Sequence, residues 1–149
     1  MAATAWAFYH EAKHKLATGD LNLSAAFWRI ALYKSALTSP AETATLTKQS
    51  SISAECTGGA YNAGGLTLSG QTWTATAAAT QKWDVTDPII TASGSPITSI
   101  KYAAIVKSVD TTTSGYPMCW SQLSTSAIDV GTGNTITIAM NASGVFTLA

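Results

Sequence analysis

Short segments in which apolar and polar side chains alternate dominate this chain. In "TSIKYAAIVKSV" (98–109), Ile100, Tyr102, Ala104 and Val106 would lie on one face of an extended strand. Turn-forming residues separate such segments at intervals of about ten residues in the second half of the chain. The clearest turns are predicted at 56–65, 87–96, 111–117 and 131–134. This spacing predicts a mainly β fold, an antiparallel β-sandwich or barrel of jelly-roll type, and disfavours a parallel α/β sheet.

The same alternation predicts the other strands. In "AAFWRIALYKSAL" (25–37), Trp28, Ile30 and Leu32 share one face, and Arg29 and Tyr33 lie on the other. Further strands are expected within 64–80, 118–123, 134–141 and 144–148. The polar segment 39–55 is predicted to be a long loop with room for one short strand.

One segment has the spacing of a helix. Residues 3–17 contain no Gly or Pro, and apolar side chains recur every three or four positions. Gly19 follows as a predicted C-terminal cap. We expect the apolar side of this amino-terminal helix to pack on the sheet or on a neighbouring subunit; it consists of Ala5, Phe8, Ala12 and Leu16.

Length and charge limit the classes of partner. The 149 residues are predicted to form a single domain, 1–149, with the helix at 3–17 and the β domain over about 26–149. Eight basic and eight acidic residues leave no net charge, so we expect neither nucleic acid nor an acidic membrane surface as a partner. No secretory signal is recognisable and no apolar stretch approaches ~18 residues, so no membrane span is predicted and the mature chain is expected to begin near Met1.

The segment "HEAKH" matches the pattern of zinc proteases, in which two histidines bind the metal and a glutamate activates water. His10, Glu11 and His14 would hold these positions. Lys13 lies between the histidines, where a cation opposes metal binding. A third ligand would have to come from Asp20, Glu42 or Glu55. We therefore expect no metal site, and interpret the two histidines as residues of an exposed helical face.

Other catalytic patterns are weaker. Asp84 and Asp87 are the one close pair of carboxylates, and their setting in "WDVTDP" favours turn residues. The glycine-rich "TGGAYNAGG" is not followed by a helical pattern, so it does not predict a phosphate-binding loop. We predict no enzyme activity, no catalytic residues and no cofactor.

Cysteine and tryptophan residues leave two questions open. Cys56 and Cys119 form no metal-binding or redox pair, and we expect two buried free thiols, with a disulfide as the alternative. Trp73, Trp83 and Trp120 could stack on sugar rings if they were exposed. Core packing is the more common use of tryptophan on an alternating strand, so it is the favoured interpretation.

Several stretches together resemble a family of small structural proteins of tailed bacteriophages. They are "AWAFYHEAKHKLATGDLNLSAAFWRIALYKSAL", "TGGAYNAGGLTLSG", "IKYAAIVK" and "GNTITIAMNASGVFTLA". The resemblance extends over nearly the whole chain, but its motifs are structural and assign no functional residue.

The resemblance implies a virion component assembled in the bacterial host cytoplasm. It fits best a capsid decoration, or cement, protein that binds the major capsid protein as a homotrimer. A tail, neck or adhesin component is the alternative within the virion. A carbohydrate-binding β-sandwich is the alternative outside this class.

Overall fold

The computed structural model describes residues 5–24, 27–34, 54–75, 80–108 and 115–148. One helix and eleven strands form within these ranges. In chain order they are β1 (Ala7–Phe8), α1 (His10–Ala17), β2 (Trp28–Lys34), β3 (Leu66–Thr67), β4 (Thr72–Ala75), β5 (Gln81–Asp84), β6 (Ile89–Thr91), β7 (Ile97–Lys107), β8 (Tyr116–Gln122), β9 (Ile128–Val130), β10 (Thr135–Thr137) and β11 (Phe146–Leu148).

The strands form three antiparallel sheets. The largest has the order β1-β8-β7-β2-β3, with β9 paired to the far end of β7. A second sheet consists of β10 and β6, and a third has the order β11-β5-β4. No closed barrel forms among the described residues, and the arrangement is sandwich-like. The predicted mainly β, antiparallel fold with one short amino-terminal helix is confirmed.

Strands β2 and β7 form the centre of the molecule. They pair along their length, from Trp28 opposite Lys107 to Lys34 opposite Ile100. Both faces of β2 are covered, because Ala31 and Tyr33 are as fully buried as Ile30. The alternation in the sequence therefore identifies the strand, but not the burial of its second face.

The helix is shorter than the sequence predicts. Residues 3–17 were expected to be helical, but Ala7–Phe8 pair with β8, and the Tyr9 N–H donates to the Met118 carbonyl at 3.0 Å. Hydrogen bonds to the edge of a sheet override the helical spacing here, and α1 begins at His10. Its end agrees with the prediction, since Gly19 follows with a φ of +81°.

The predicted apolar side of the helix is only partly buried. Ala12 is buried in the core, whereas Phe8 and Leu16 are half-buried against it and Ala5 is exposed. Because Phe8 belongs to β1, it reaches the core from a strand. The described part of the chain contains no helix long and apolar enough to cross a membrane.

Besides β1, three strands were not predicted. Strand β5 follows the predicted strand segment 64–80, β6 lies within 87–96, where a turn was predicted, and β9 lies between predicted elements. Proline and glycine flank the three residues of β6, and this composition predicts a turn. The strand forms because it pairs with β10, which is distant in sequence. Of the predicted loop 39–55, only Ala54 and Glu55 are described, and Glu55 forms an isolated bridge with Tyr33.

Candidate functional site

The histidines of "HEAKH" lie on the exposed side of α1. Glu11, which would activate water in a zinc protease, faces Lys15 at 4.0 Å between Oε1 and Nζ. Lys15 Nζ also lies 3.9 Å from Asp20 Oδ2. The Glu11 carboxylate therefore faces the Lys15 ammonium group one helical turn away.

Two of the candidate third ligands bind other groups of the protein, and the third lies outside the described residues. Asp20 accepts a hydrogen bond from Thr18 Oγ1 at 3.1 Å. Glu55 binds Tyr61 on the far side of β2, and Glu42 lies outside the described residues. Across the described ranges, no three His, Cys, Asp or Glu side chains are grouped to hold a metal ion.

The two close aspartates both bind groups of the protein itself. Asp84 Oδ2 lies 3.2 Å from Lys82 Nζ, and its Oδ1 accepts the Val85 N–H at 2.9 Å. Asp87 Oδ1 accepts the Met140 N–H at 2.8 Å, which ties the loop before β6 to the strand region after β10. Asp87 lies in a loop, as predicted, whereas the prediction of a turn was wrong for Asp84, which is the last residue of β5 and pairs with Thr72.

Both thiols are buried and unpaired, as predicted. Burial raises the pKa of Cys56 to about 11, while Lys34 opposes the shift. Burial also raises the pKa of Cys119 well above its ordinary value. Neither sulfur is a reactive thiolate near neutral pH.

The glycine-rich segment is held by one buried tyrosine. Tyr61 Oη accepts the Leu32 N–H at 2.8 Å and donates to Glu55 Oε1 at 2.7 Å. The same carboxylate oxygen accepts the Gly64 N–H at 2.8 Å. Burial, followed by the Glu55 carboxylate, raises the pKa of Tyr61 well above its usual range. The segment is fixed to β2 through side-chain and main-chain bonds.

Glycine is required where this segment approaches other backbone. A Cβ on Gly65 would lie 2.4 Å from the Ile30 carbonyl oxygen, and one on Gly58 would lie 2.3 Å from that of Pro96. Both residues have positive φ. The glycines therefore serve close main-chain packing and do not form a phosphate cradle.

The three candidate tryptophans have different environments. Trp83 is fully buried, and its ring meets that of Trp28 at 5.6 Å between centroids. Trp120 is half-buried beside Tyr102. Trp73 is 39% exposed on β4, where all four residues are exposed. Core packing is thus confirmed for Trp83, and Trp73 is the one of the three available for stacking.

Several large apolar side chains are exposed among the described residues. Phe27 is 67% exposed and Ile89 is 60% exposed. The others in this class are Leu148, Trp73 and Leu66. Leu66 and Ile89 were not predicted from the sequence to be surface residues. The β-branched pair Ile89-Ile90 was the available signal for β6.

Leu66 and Ile89 belong to a groove between two strands, which we call the β3–β6 groove. Residues 60–62, 65–67 and 89–91 form it, and its volume is about 380 Å³. No charged side chain lies among these residues. The groove can offer apolar contact, side-chain hydroxyls and main-chain hydrogen bonds.

A second groove, the α1–β11 groove, lies between α1 and the last strand. Phe8, Leu16 and Leu148 provide its apolar surface, with Lys13 at its side. Its volume is about 450 Å³. Both grooves have the chemistry of a contact surface.

The chain matches no protein-family model, no curated protein and no solved structure.

Proposed function

We propose that the chain is a non-enzymatic virion structural protein, a capsid decoration protein that binds and stabilises the head of a tailed bacteriophage. The observation that carries the proposal is the exposure of large apolar side chains on a chain with only 11% charged residues and no net charge. Such a surface suits lasting contacts with other protein subunits. The resemblance to small phage structural proteins supplies the virion as the place of those contacts.

Unpaired strand edges add to this support. Within the described ranges, β3 pairs only with β2, and β4 pairs only with β5. A free strand edge offers main-chain donors and acceptors to a neighbouring chain. The partner in this proposal is the major capsid protein, and the bound form is a homotrimer located in the virion.

The test compares phage heads assembled with and without this protein. A ligand that binds only the intact shell stabilises it by mass action, so decorated heads should rupture at a higher temperature than undecorated heads. Adding purified protein back to undecorated heads should restore the difference. Failure to bind heads, with co-purification in the tail fraction, would replace this proposal with the tail, neck or adhesin alternative.

A carbohydrate-binding module is a second candidate because of Trp73. Its ring is partly exposed on a strand whose neighbouring side chains are also exposed, which is the setting for stacking on a sugar ring. Retention on a polysaccharide column that is lost in Trp73→Ala, but kept in Phe27→Ala, would favour this candidate. Equal elution of all three proteins with the unretained fraction would eliminate it.

A further inference from the structure

Within the described residues, the outer edge of β3 has one position at which both main-chain groups are open. The Leu68 N–H donates to the Trp28 carbonyl at 2.8 Å, so Leu68 and Trp28 form a hydrogen-bonded pair of the antiparallel ladder. Such pairs alternate with pairs whose main-chain groups point away from each other. Thr67, opposite Arg29, is of the second kind, and its N–H and C=O point away from β2.

The neighbours of Thr67 on this edge are already bonded. The Gly65 N–H donates to Asn62 at 3.2 Å, and the Ser69 carbonyl accepts the Thr86 N–H at 3.0 Å. The edge therefore presents one residue with both main-chain groups available, between two positions that each already have one group bonded.

The same alternation identifies the open edge of β6. The Ile138 N–H donates to the Pro88 carbonyl, and the Ala92 N–H donates to the Asn134 carbonyl. These bonds place the main-chain groups of Ile89 and Thr91 on the side of β6 that faces away from β10. The β3–β6 groove includes Ile89 and Thr91 but no residue of β10, so it lies on this open side.

Contacts close the groove at its two ends. The Ser69–Thr86 hydrogen bond joins the chain after β3 to the chain before β6. Beyond the opposite end, the Gly59 N–H donates to Ser95 Oγ at 2.8 Å. Two strands that are not paired with each other thus border a short slot, with open main-chain groups on both sides.

We propose that this slot binds an extended, uncharged segment of the capsid subunit as an added strand between β3 and β6. An extended backbone presents donors and acceptors on both of its sides, and so can bond to Thr67 on one side and to Ile89 and Thr91 on the other. With the usual rise, strand spacing and layer spacing, one strand residue occupies about 160 Å³, so about two or three residues fit. The absence of charge along the slot selects a segment without charged side chains, and Leu66 and Ile89 contact its apolar groups.

This inference rests on the proposed function, because the occupant belongs to the shell. The first test measures binding of the full chain to undecorated heads. Ile89→Lys places a cation in the uncharged slot, and the binding constant should fall at least tenfold. Ala127→Lys adds the same cation at an exposed position that belongs to neither groove nor to the exposed apolar side chains, and it should bind within about twofold of the unchanged protein. Both variants should melt close to the unchanged protein, since both side chains are mostly exposed.

The second test measures the hydrogen exchange of individual main-chain amides, resolved by residue with mass spectrometry of fragmented peptides. On head binding, the amides of Thr67, Ile89 and Thr91 should become protected. Those of Leu66 and Ile90 should change little, because they are already bonded within the ladders.

The outcomes separate the two proposals. If the unchanged protein binds heads but Ile89→Lys binds equally well, or protection appears away from Thr67 and Ile89, the slot is not the binding site and the decoration role stands. If the unchanged protein does not bind heads, both proposals fail.

Discussion

Buried polar side chains of the core differ in whether they have partners. Tyr61 Oη is bonded to Leu32 and Glu55, whereas Tyr9 Oη and Trp28 Nε1 have no hydrogen-bond partner among the described residues. A buried polar atom without a partner costs about 1–3 kcal/mol, and removing one member of a buried pair exposes the same cost. Loss of the hydroxyl should therefore lower the stability of the fold at Tyr61 but not at Tyr9.

We predict that Tyr61→Phe lowers the free energy of unfolding by about 1–3 kcal/mol, because it leaves the Leu32 N–H and Glu55 without their partner. Tyr9→Phe, the matched control, should leave stability unchanged or raise it. Urea unfolding of both variants measures the difference. Equal losses in the two variants would contradict the assignment of Tyr61 as the tether of the glycine-rich segment.

Alkaline pH should destabilise the fold. Below the ordinary thiol pKa of ~8.5, folded and unfolded chains both hold the proton and stability is constant. Above it the unfolded chain releases the proton first, so stability falls as pH rises toward the folded Cys56 pKa of about 11. Cys119 and Tyr61 act in the same direction. Urea unfolding between about pH 7 and pH 11 should show this fall, with a smaller slope in Cys56→Ala.

Zinc should not affect stability. His10 and His14 are exposed, and Glu11 is engaged by Lys15, so the folded state offers metal no better site than the unfolded chain. Thermal melting should be the same with zinc and with a chelator. A fall of several degrees on chelation that disappears in His10→Ala would establish a metal site.

At the scale of elements, the sequence pattern identified those strands in which apolar and polar side chains alternate over many residues. Strand β2 falls within its predicted segment, and β7 begins one residue before its segment, at Ile97; the period-two pattern of both is long. The predicted start of the helix was wrong because Ala7–Phe8 pair with a strand that is distant in sequence. The slot between β3 and β6 could not be predicted from the sequence either. Its open main-chain groups depend on which edge of β3 and of β6 has no neighbouring strand. Local pattern carries no such information.

Glycine at the β2–β3 contact provides a matched pair of substitutions. Gly65 and Gly94 have nearly the same positive φ, +83° and +81°, but a Cβ would clash with Ile30 only at Gly65. Both alanine variants bear the conformational cost of ~1–2 kcal/mol. Gly65→Ala should lose about 1–3 kcal/mol more in urea unfolding, because β3 must move from β2. Equal losses would show that β3 is not fixed by this approach.

At the scale of the whole molecule, low charge predicts self-association. Eight positive and eight negative charges give little repulsion between copies, and exposed apolar side chains gain by burial. We predict a homotrimer in sedimentation experiments, with about 800 Å² or more buried per subunit at each contact. Association through apolar surface should persist from ~0.1 to ~1 M salt. A monomer at all concentrations, or a trimer that dissociates in salt, would contradict this prediction.

The pairing of β1 with β8 also sets the order of events during synthesis. Ala7 pairs in register with Trp120, so β1 leaves the ribosome more than 100 residues before the strand with which it pairs. At about 5–20 residues per second, this interval is on the order of ten seconds. During that time the β2 residues also lack β7, and an apolar strand remains without its partner. Strands β1 and β7 therefore gain their shared partner β8 only after Tyr116–Gln122 emerges, and until then the apolar residues of the central sheet lack part of their packing.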